Sequence, residues 1–304
     1  MGKTVYMFPG QGAQYAGMGK EFYDSFSVCK DIFKTASKVT GLDMETICFT
    51  ENEQIDITEY TQIAMLTVEA AILKRMEECG LHADYAAGLS LGEYGALLAA
   101  HVLSCDEAFR LIRKRGIFMQ EAVPTGGAMS AVLGMEAEVI EETCEQAEGI
   151  VSIANYNCPG QIVITGEAEA VAAASARLTE KGAKRVIPLK VSGSFHSQML
   201  TGAGERLSEE LAAITVHEPD IPYVSNVTAD FVTDAAAVRE LLMRQVSSPV
   251  RWQQSMELLI REGADEFVEI GPGRTLGGFI KKISRDVQVF HIEKPEDLEN
   301  YVNR

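Results

Sequence analysis

Short apolar runs alternate along most of this chain with longer segments whose apolar residues recur at helical spacing. Val5 to Phe8, Tyr85 to Gly88, Ile221 to Ser225, Phe267 to Ile270 and Val287 to Ile292 are short and mostly apolar, so they read as buried strands. Between the first two, Thr61 to Cys79 places Ile63, Leu66, Val68, Ala71, Ile72 and Met76 on one side of a 3.6-residue period and predicts a helix. Strands alternating with helices predict an α/β fold with a mostly parallel sheet.

The middle of the chain has a different rhythm. Ala128 to Leu133 reads as a strand, Ala137 to Ala147 as a helix, Ile150 to Ala154 and Gln161 to Thr165 as strands, Glu169 to Lys181 as a helix and Arg185 to Leu189 as a strand. This β-α-β-β-α-β order is ferredoxin-like, with Asn157-Cys158-Pro159-Gly160 as the central turn. The predicted organisation is a large hydrolase-like α/β subdomain, 1–125 and 192–304, carrying a small ferredoxin-like subdomain, 126–191, as an insertion.

Composition narrows the partners. With 304 residues, 46% of them hydrophobic, the chain can bury a full core, and the absence of a long apolar run or a signal-peptide pattern predicts a cytoplasmic protein without a membrane span. A formal charge of −17 argues against nucleic acid. An anionic partner would have to meet Lys181, Lys184, Arg185 and Lys190, or Lys281, Lys282 and Arg285; each run reads equally as a solvated face. The six cysteines lack C-x-x-C spacing and read as reduced packing residues.

Chemistry concentrates at Gly88-Leu89-Ser90-Leu91-Gly92, where an apolar strand gives way to a predicted helix, Leu91 to Val102. A serine flanked this way has the form of a nucleophile elbow, the glycines letting strand and helix approach while the hydroxyl projects outward. The bland alternative is a Gly-Ser turn ending a core strand. A serine nucleophile needs a base, and His196, in a small-residue loop leaving the inserted unit, is better placed than His82, His101, His217 or His291. An α/β-hydrolase carries its histidine near the C-terminus, after an acid. Here a whole sheet segment follows His196, so a Ser-His pair oriented by something other than a following carboxylate fits better than a hydrolase triad.

Two further elements bear on an anionic reaction centre. The loop Phe8-Pro9-Gly10-Gln11-Gly12-Ala13-Gln14 can point backbone N–H groups at an oxyanion, one of them pairing with the N–H of Leu91. Arg115 lies among apolar neighbours in a helical stretch, where a buried guanidinium calls for a partner; a carboxylate suits its planar fork, and an internal ion pair is the alternative.

Taken in order, Gly10-Gln11-Gly12-Ala13-Gln14, Gly88-Leu89-Ser90-Leu91-Gly92, Arg115-Gly116, Phe195-His196 and Gly271-Pro272-Gly273 resemble the malonyl-CoA:acyl carrier protein transacylase family, in its discrete bacterial form. The resemblance implies Ser90 as nucleophile, His196 as base, the backbone amides of Gln11 and Leu91 as oxyanion hole, and Arg115 as receptor for the malonyl carboxylate. It further implies that the main-chain carbonyl of Gln245 orients His196, and that Met119, Asn155 and Asn157 line the substrate cleft. In related acyltransferases, Phe before the histidine and a bulky aliphatic residue after the serine accompany malonyl over methylmalonyl units, and Phe195 and Leu91 both agree. Leu89 departs from the family, which usually has His there, so no polar side chain is available at that position.

The implied partners are malonyl-CoA and an acyl carrier protein docking on one of the two basic runs, with no cofactor, no metal and a monomeric enzyme. The alternatives are an acyltransferase serving a polyketide or polyunsaturated-lipid synthase, an acetyl or longer-chain transferase, a serine thioesterase, and a non-catalytic acyl-CoA binding module.

Overall fold

In the computed structural model, which describes residues 2–190 and 193–304, ten strands form two separate sheets. They are β1 (Lys3–Phe8), β2 (Tyr85–Gly88), β3 (Gly127–Leu133), β4 (Val151–Cys158), β5 (Gln161–Glu167), β6 (Arg185–Pro188), β7 (Tyr223–Val224), β8 (Phe231–Val232), β9 (Ala264–Ile270) and β10 (Gln288–Ile292). The larger sheet has the order β10-β9-β1-β2-β7-β8 and is parallel except for the β7–β8 hairpin. The smaller is antiparallel in the order β4-β5-β3-β6, with the helices Ala137–Glu145 and Ala168–Glu180 as its connections, which is the ferredoxin-like topology.

The predicted α/β class holds, and the strands of the small sheet all fall between β2 and β7 of the large one. The junction expected at 191–192 lies outside the described residues.

Burial explains the composition of the central strands. All four residues of β2 are buried, and helices on both faces leave room only for the small side chains of Ala86 and Ala87. The Thr58–Glu78 helix starts three residues earlier than its apolar pattern suggested and is buried around most of its circumference, polar Thr61, Gln62, Thr67 and Glu69 included. A helix enclosed on all sides shows its hydrophobic stripe only weakly.

Three local expectations change. The segment expected as one helix, Leu91 to Val102, is a tight 3₁₀ turn, Ser90–Gly92, followed by the helix Glu93–Ala99, which stops where His101 takes a left-handed φ of 54°. The run Ile221 to Ser225 contributes only Tyr223–Val224 to the sheet, because Ser225 starts a turn closed by Ala229 N–H to Ser225 O and Asn226 is drawn toward the elbow. Of the cysteines, Cys29, Cys48, Cys144 and Cys158 are packed inside, whereas Cys79 is exposed at a helix end and Cys105 is half-buried.

An isolated backbone bridge ties the small sheet to the rest of the chain. Val250 donates to Ala154 O (2.7 Å) and accepts from Tyr156 N (2.9 Å), holding the middle of β4 against the segment that follows Gln245. Farther out, Lys282 Nζ donates to Gln161 Oε1 (3.0 Å). A cleft runs between the two sheets, and the elbow opens into it.

Candidate active site

Ser90 follows β2 directly and has φ 56°, a left-handed conformation costing a non-glycine residue about 1–2 kcal/mol. Side-chain amides hold both of its backbone groups: its N–H donates to Asn226 Oδ1 (2.7 Å), and its C=O accepts from Gln245 Nε2 (2.8 Å). The flanking glycines are required by close approach. A Cβ on Gly88 would lie 1.8 Å from Gly92 O, and one on Gly92 would lie 2.1 Å from Phe8 O.

The loop ahead of the Gln198–Leu200 turn brings His196 over this hydroxyl, also at a left-handed φ, 58°. Ser90 Oγ and His196 Nε2 are 2.7 Å apart. On the other side of the ring, Nδ1 faces two carbonyl oxygens, Gln245 O at 2.9 Å and Ser248 O at 3.1 Å. Carbonyls only accept, so Nδ1 carries the proton and the unprotonated Nε2 is turned to the serine. Burial, and next the positive charge of Arg115, lower the imidazole to about 4 against the upward pull of the two carbonyls. The ring is therefore neutral and able to accept a proton throughout the physiological range.

Arg115 is 1% exposed, and no carboxylate lies within ion-pair distance of it among the described residues. Its Nη1 donates to Gln62 Oε1 (2.7 Å), and its Nη2 donates to Gln245 Oε1 (3.0 Å) and Ser90 Oγ (3.2 Å). Nε has no partner among the described residues. Glu93, the nearest buried carboxyl, bonds instead to Gln245 Nε2 (2.8 Å) and Asn226 N (3.1 Å), and burial pushes it up to about 7. The internal ion pair considered from sequence is thus absent here, and a buried cation satisfied by neutral amides stands ready for an incoming anion.

The cleft encloses ≈ 820 Å³ including its open mouth. Gln11, Leu91, Met119, Asn155, Asn157 and Phe195, all singled out from the sequence, line it together with Ser90 and His196. Arg115 and Gln245 lie behind the serine rather than in the cleft wall. Leu89 also lines the cleft, its side chain lying where a Cβ on Gly10 would come within 2.8 Å. No group of three or more His, Cys, Asp or Glu among the described residues is arranged to hold a metal ion.

Sequence reasoning missed Gln62, Glu93, Asn226 and Ser248. Gln62 was one of several polar positions on a helix read only for its apolar stripe. Glu93 directly follows the elbow motif, where sequence reasoning assigned it no role. No local signal marked Asn226 or the Ser248 carbonyl, which reach the site only through tertiary folding.

Comparison with known proteins agrees with this geometry. The acyl transferase domain family matches residues 5–291. The chain is 45% identical over 304 residues to the malonyl CoA-acyl carrier protein transacylase of Bacillus subtilis, covering 98% of this chain and 96% of that protein. It belongs to the malonyl CoA-acyl carrier protein transacylase family. Within that family, the Streptococcus pneumoniae crystal structure superposes with a TM-score of 0.96 at 44% identity, covering 99% of each chain. A malonyl-transacylase in complex with its type II PKS acyl-carrier protein superposes equally well, TM-score 0.96 at 37% identity, covering 99% of each chain. The fold and the elbow therefore occur here in the setting of a transacylase family rather than a hydrolase.

Proposed function

We propose that this enzyme moves the malonyl group of malonyl-CoA to the phosphopantetheine thiol of an acyl carrier protein through an ester on Ser90, supplying units for fatty-acid synthesis. The observation that carries the reading is the meeting of three groups at one atom. Ser90 Oγ lies 2.7 Å from a base, His196 Nε2, and 3.2 Å from a buried cation, Arg115 Nη2. Malonate holds its carboxylate one methylene from the thioester carbonyl, so an anion receptor one hydrogen bond from the nucleophile suits it; an acetyl group has no use for the charge.

The steps follow from the bonding. Ser90 Oγ accepts from Arg115 and so directs its own proton to His196 Nε2. As Oγ attacks the thioester carbon, that proton passes to His196, and the N–H groups of Gln11 and Leu91 receive the oxyanion. Collapse breaks the C–S bond, and the imidazolium returns its proton to the departing CoA sulfur. Malonyl-Ser90 remains, with its carboxylate taking over the Arg115 hydrogen bond that Oγ gave up. The carrier thiol then repeats the sequence: His196 takes the S–H proton, sulfur attacks the ester, and Ser90 leaves with the proton. This is a ping-pong route.

Phe195, Met119, Asn155 and Asn157 shape the acyl side of the cleft, Phe195 limiting room for a branch at the α-carbon. The insertion, 126–191, supplies one wall and the rest of the chain the other. One residue of the cleft lining neighbours each basic run in sequence. Leu189, next to Lys190, lines one side, and Phe279, two residues before Lys281, lines another; Lys184, Arg185, Lys190, Lys281 and Lys282 are all exposed. An acidic carrier protein docking at the mouth would meet whichever run reaches it, Lys190 and Lys281 being close in sequence to the cleft residues. Lys181 is partly committed, its Nζ donating to Thr143 Oγ1 at 2.9 Å.

The test is intact-protein mass after brief exposure to malonyl-CoA, acetyl-CoA or methylmalonyl-CoA, followed by carrier protein. A malonyl adduct that needs Ser90 and moves to the carrier is expected, with little adduct from the other two thioesters. Accumulation of free malonate without transfer would make the enzyme a thioesterase, and absence of both would leave a binding module.

A further inference from the structure

Ser90, His196 and Arg115 come from three separate parts of the chain, yet one residue, through its side chain and its carbonyl, touches the setting of all three. Gln245 is fully buried. Its carbonyl accepts from His196 Nδ1, its Oε1 accepts from Arg115 Nη2 (3.0 Å), and its Nε2 donates to Ser90 O and Glu93 Oε2 (both 2.8 Å). These bonds fix the amide orientation, since the oxygen faces a guanidinium and the nitrogen faces a carbonyl and a carboxyl. Asn226 completes the arrangement from the other side. Its Oδ1 accepts from Ser90 N–H and its Nδ2 donates to Gly88 O, each at 2.7 Å. Glu93 Oε2 ties the two together by accepting from Gln245 Nε2 and Asn226 N.

We propose that the buried side chains of Gln245, Asn226 and Glu93 form a positioning brace that keeps Ser90 in its strained conformation and in register with His196 and Arg115. Resting on the transacylase reading, the proposal adds residues that touch no substrate and act through the nucleophile. The physical argument is that the backbone alone does not hold a left-handed serine between a strand end and a 3₁₀ turn: its C=O takes the Glu93 N–H of the turn, but its N–H finds its partner in the Asn226 side chain. The Gln245 side chain adds a second bond to the C=O, and a carboxyl oxygen holding Gln245 and Asn226 makes them move as one unit. Relaxation of Ser90 toward ordinary backbone angles would carry Oγ away from Nε2 without altering the cleft wall where CoA binds. Loss of the brace should therefore lower kcat and leave KM nearly unchanged.

The experiment compares Gln245→Met, Asn226→Ser, Glu93→Met and Glu93→Gln in the full-length enzyme. Gln245→Met keeps the carbonyl that holds His196 and removes only the side-chain bonds; Glu93→Gln keeps an acceptor oxygen. Each variant is assayed for malonyl transfer and, separately, for the rate at which a small uncharged fluorophosphonate labels Ser90. The second readout needs neither Arg115 recognition nor a carrier protein, so it reports serine positioning even if the transfer reading fails. Expected are losses of about 30-fold or more in kcat and comparable losses in labelling for the Met and Ser variants, KM within about twofold, and recovery of most of the loss by Glu93→Gln relative to Glu93→Met. Folded Gln245→Met and Asn226→Ser proteins with wild-type kcat and labelling would overturn the proposal. So would a Glu93→Gln variant no better than Glu93→Met. If Gln245→Met does not fold, Asn226→Ser, which alters only the elbow side of the brace, decides the matter.

Discussion

Ser90 Oγ and His196 Nε2 lie 2.7 Å apart although both residues occupy left-handed backbone conformations, with φ of 56° and 58°. Two strained residues facing each other across a cleft are costly unless the surroundings hold each one. Here the His196 ring is held by Gln245 O and Ser248 O, and the Ser90 backbone by Asn226 and Gln245 side chains.

The first prediction concerns acid. His196 is lowered to about 4, chiefly by burial and then by Arg115, whereas an unfolded imidazole titrates near 6.5. Malonyl-CoA acylation measured as kcat/KM should therefore stay flat from pH 8 to about pH 5 instead of halving near 6.5. Between about 6.5 and 4 the unfolded chain binds a proton that the folded one refuses, so this group also makes stability fall as pH falls through that window. In Arg115→Gln the imidazole should titrate higher, read by NMR of the ring. A wild-type limb near 6.5 would mean that the ring is more hydrated than its burial implies.

Arg115 should decide the acyl group. Removing one partner of a buried charged pair costs about 2–5 kcal/mol, so Arg115→Ala should lose about 10²-fold or more in kcat/KM for malonyl-CoA. Acetyl-CoA makes no carboxylate contact and should lose less, only what the Arg115 bond to Ser90 Oγ contributes. Equal losses on both substrates would show that the cation serves the serine rather than the carboxylate.

How much of this was legible in the sequence depends on how local the signal was. The elbow, the order of elements in the insertion and the strand-helix alternation all lie in contiguous residues, and periodicity exposes them. The main-chain carbonyl of Gln245 became legible only through the family resemblance, since any residue type supplies a carbonyl. Gln62 and Asn226 were not legible, because their partners Arg115 and Ser90 are distant in sequence and a buried amide looks like any surface amide until the fold is known. The shortening of the strand at Ile221 to Ser225 has the same origin: Asn226 serves the elbow, and the chain leaves the sheet to deliver it.

The glycines of the elbow should separate sharply from those of surface turns. Gly92→Ala would place a methyl 2.1 Å from the Phe8 carbonyl oxygen at a junction of two backbones, which cannot yield as a side chain would. Several kcal/mol of destabilisation, seen as low soluble yield or a large drop in Tm, is expected. Gly41→Ala meets nothing within 4 Å and suffers only its left-handed φ of 71°, about 1–2 kcal/mol. Comparable Tm values for the two variants would show that the β1–elbow contact is looser than drawn.

A last prediction concerns Glu69, which is fully buried beneath Pro9 and Gly271 with neither carboxyl oxygen hydrogen-bonded among the described residues. Burial alone pushes this carboxyl well above the usual carboxylate range. An acid whose folded pKa is raised favours the folded state fully below its unfolded value near 4.5, and loses that advantage as pH rises toward the folded value. Glu69→Met keeps the length of the side chain and removes two unpartnered oxygens, so it should stabilise the protein by about 1–3 kcal/mol. The gain should be larger at pH 8 than at pH 5, because only the wild type bears the cost of ionising or retaining that proton. Glu93 and Glu269, both pushed up to about 7 by burial, impose the same slope on both proteins and cancel in the difference. Denaturant melts of the pair at the two pH values measure it directly. A loss of stability in Glu69→Met, or a gain independent of pH, would mean that this carboxyl is hydrogen-bonded or hydrated in solution.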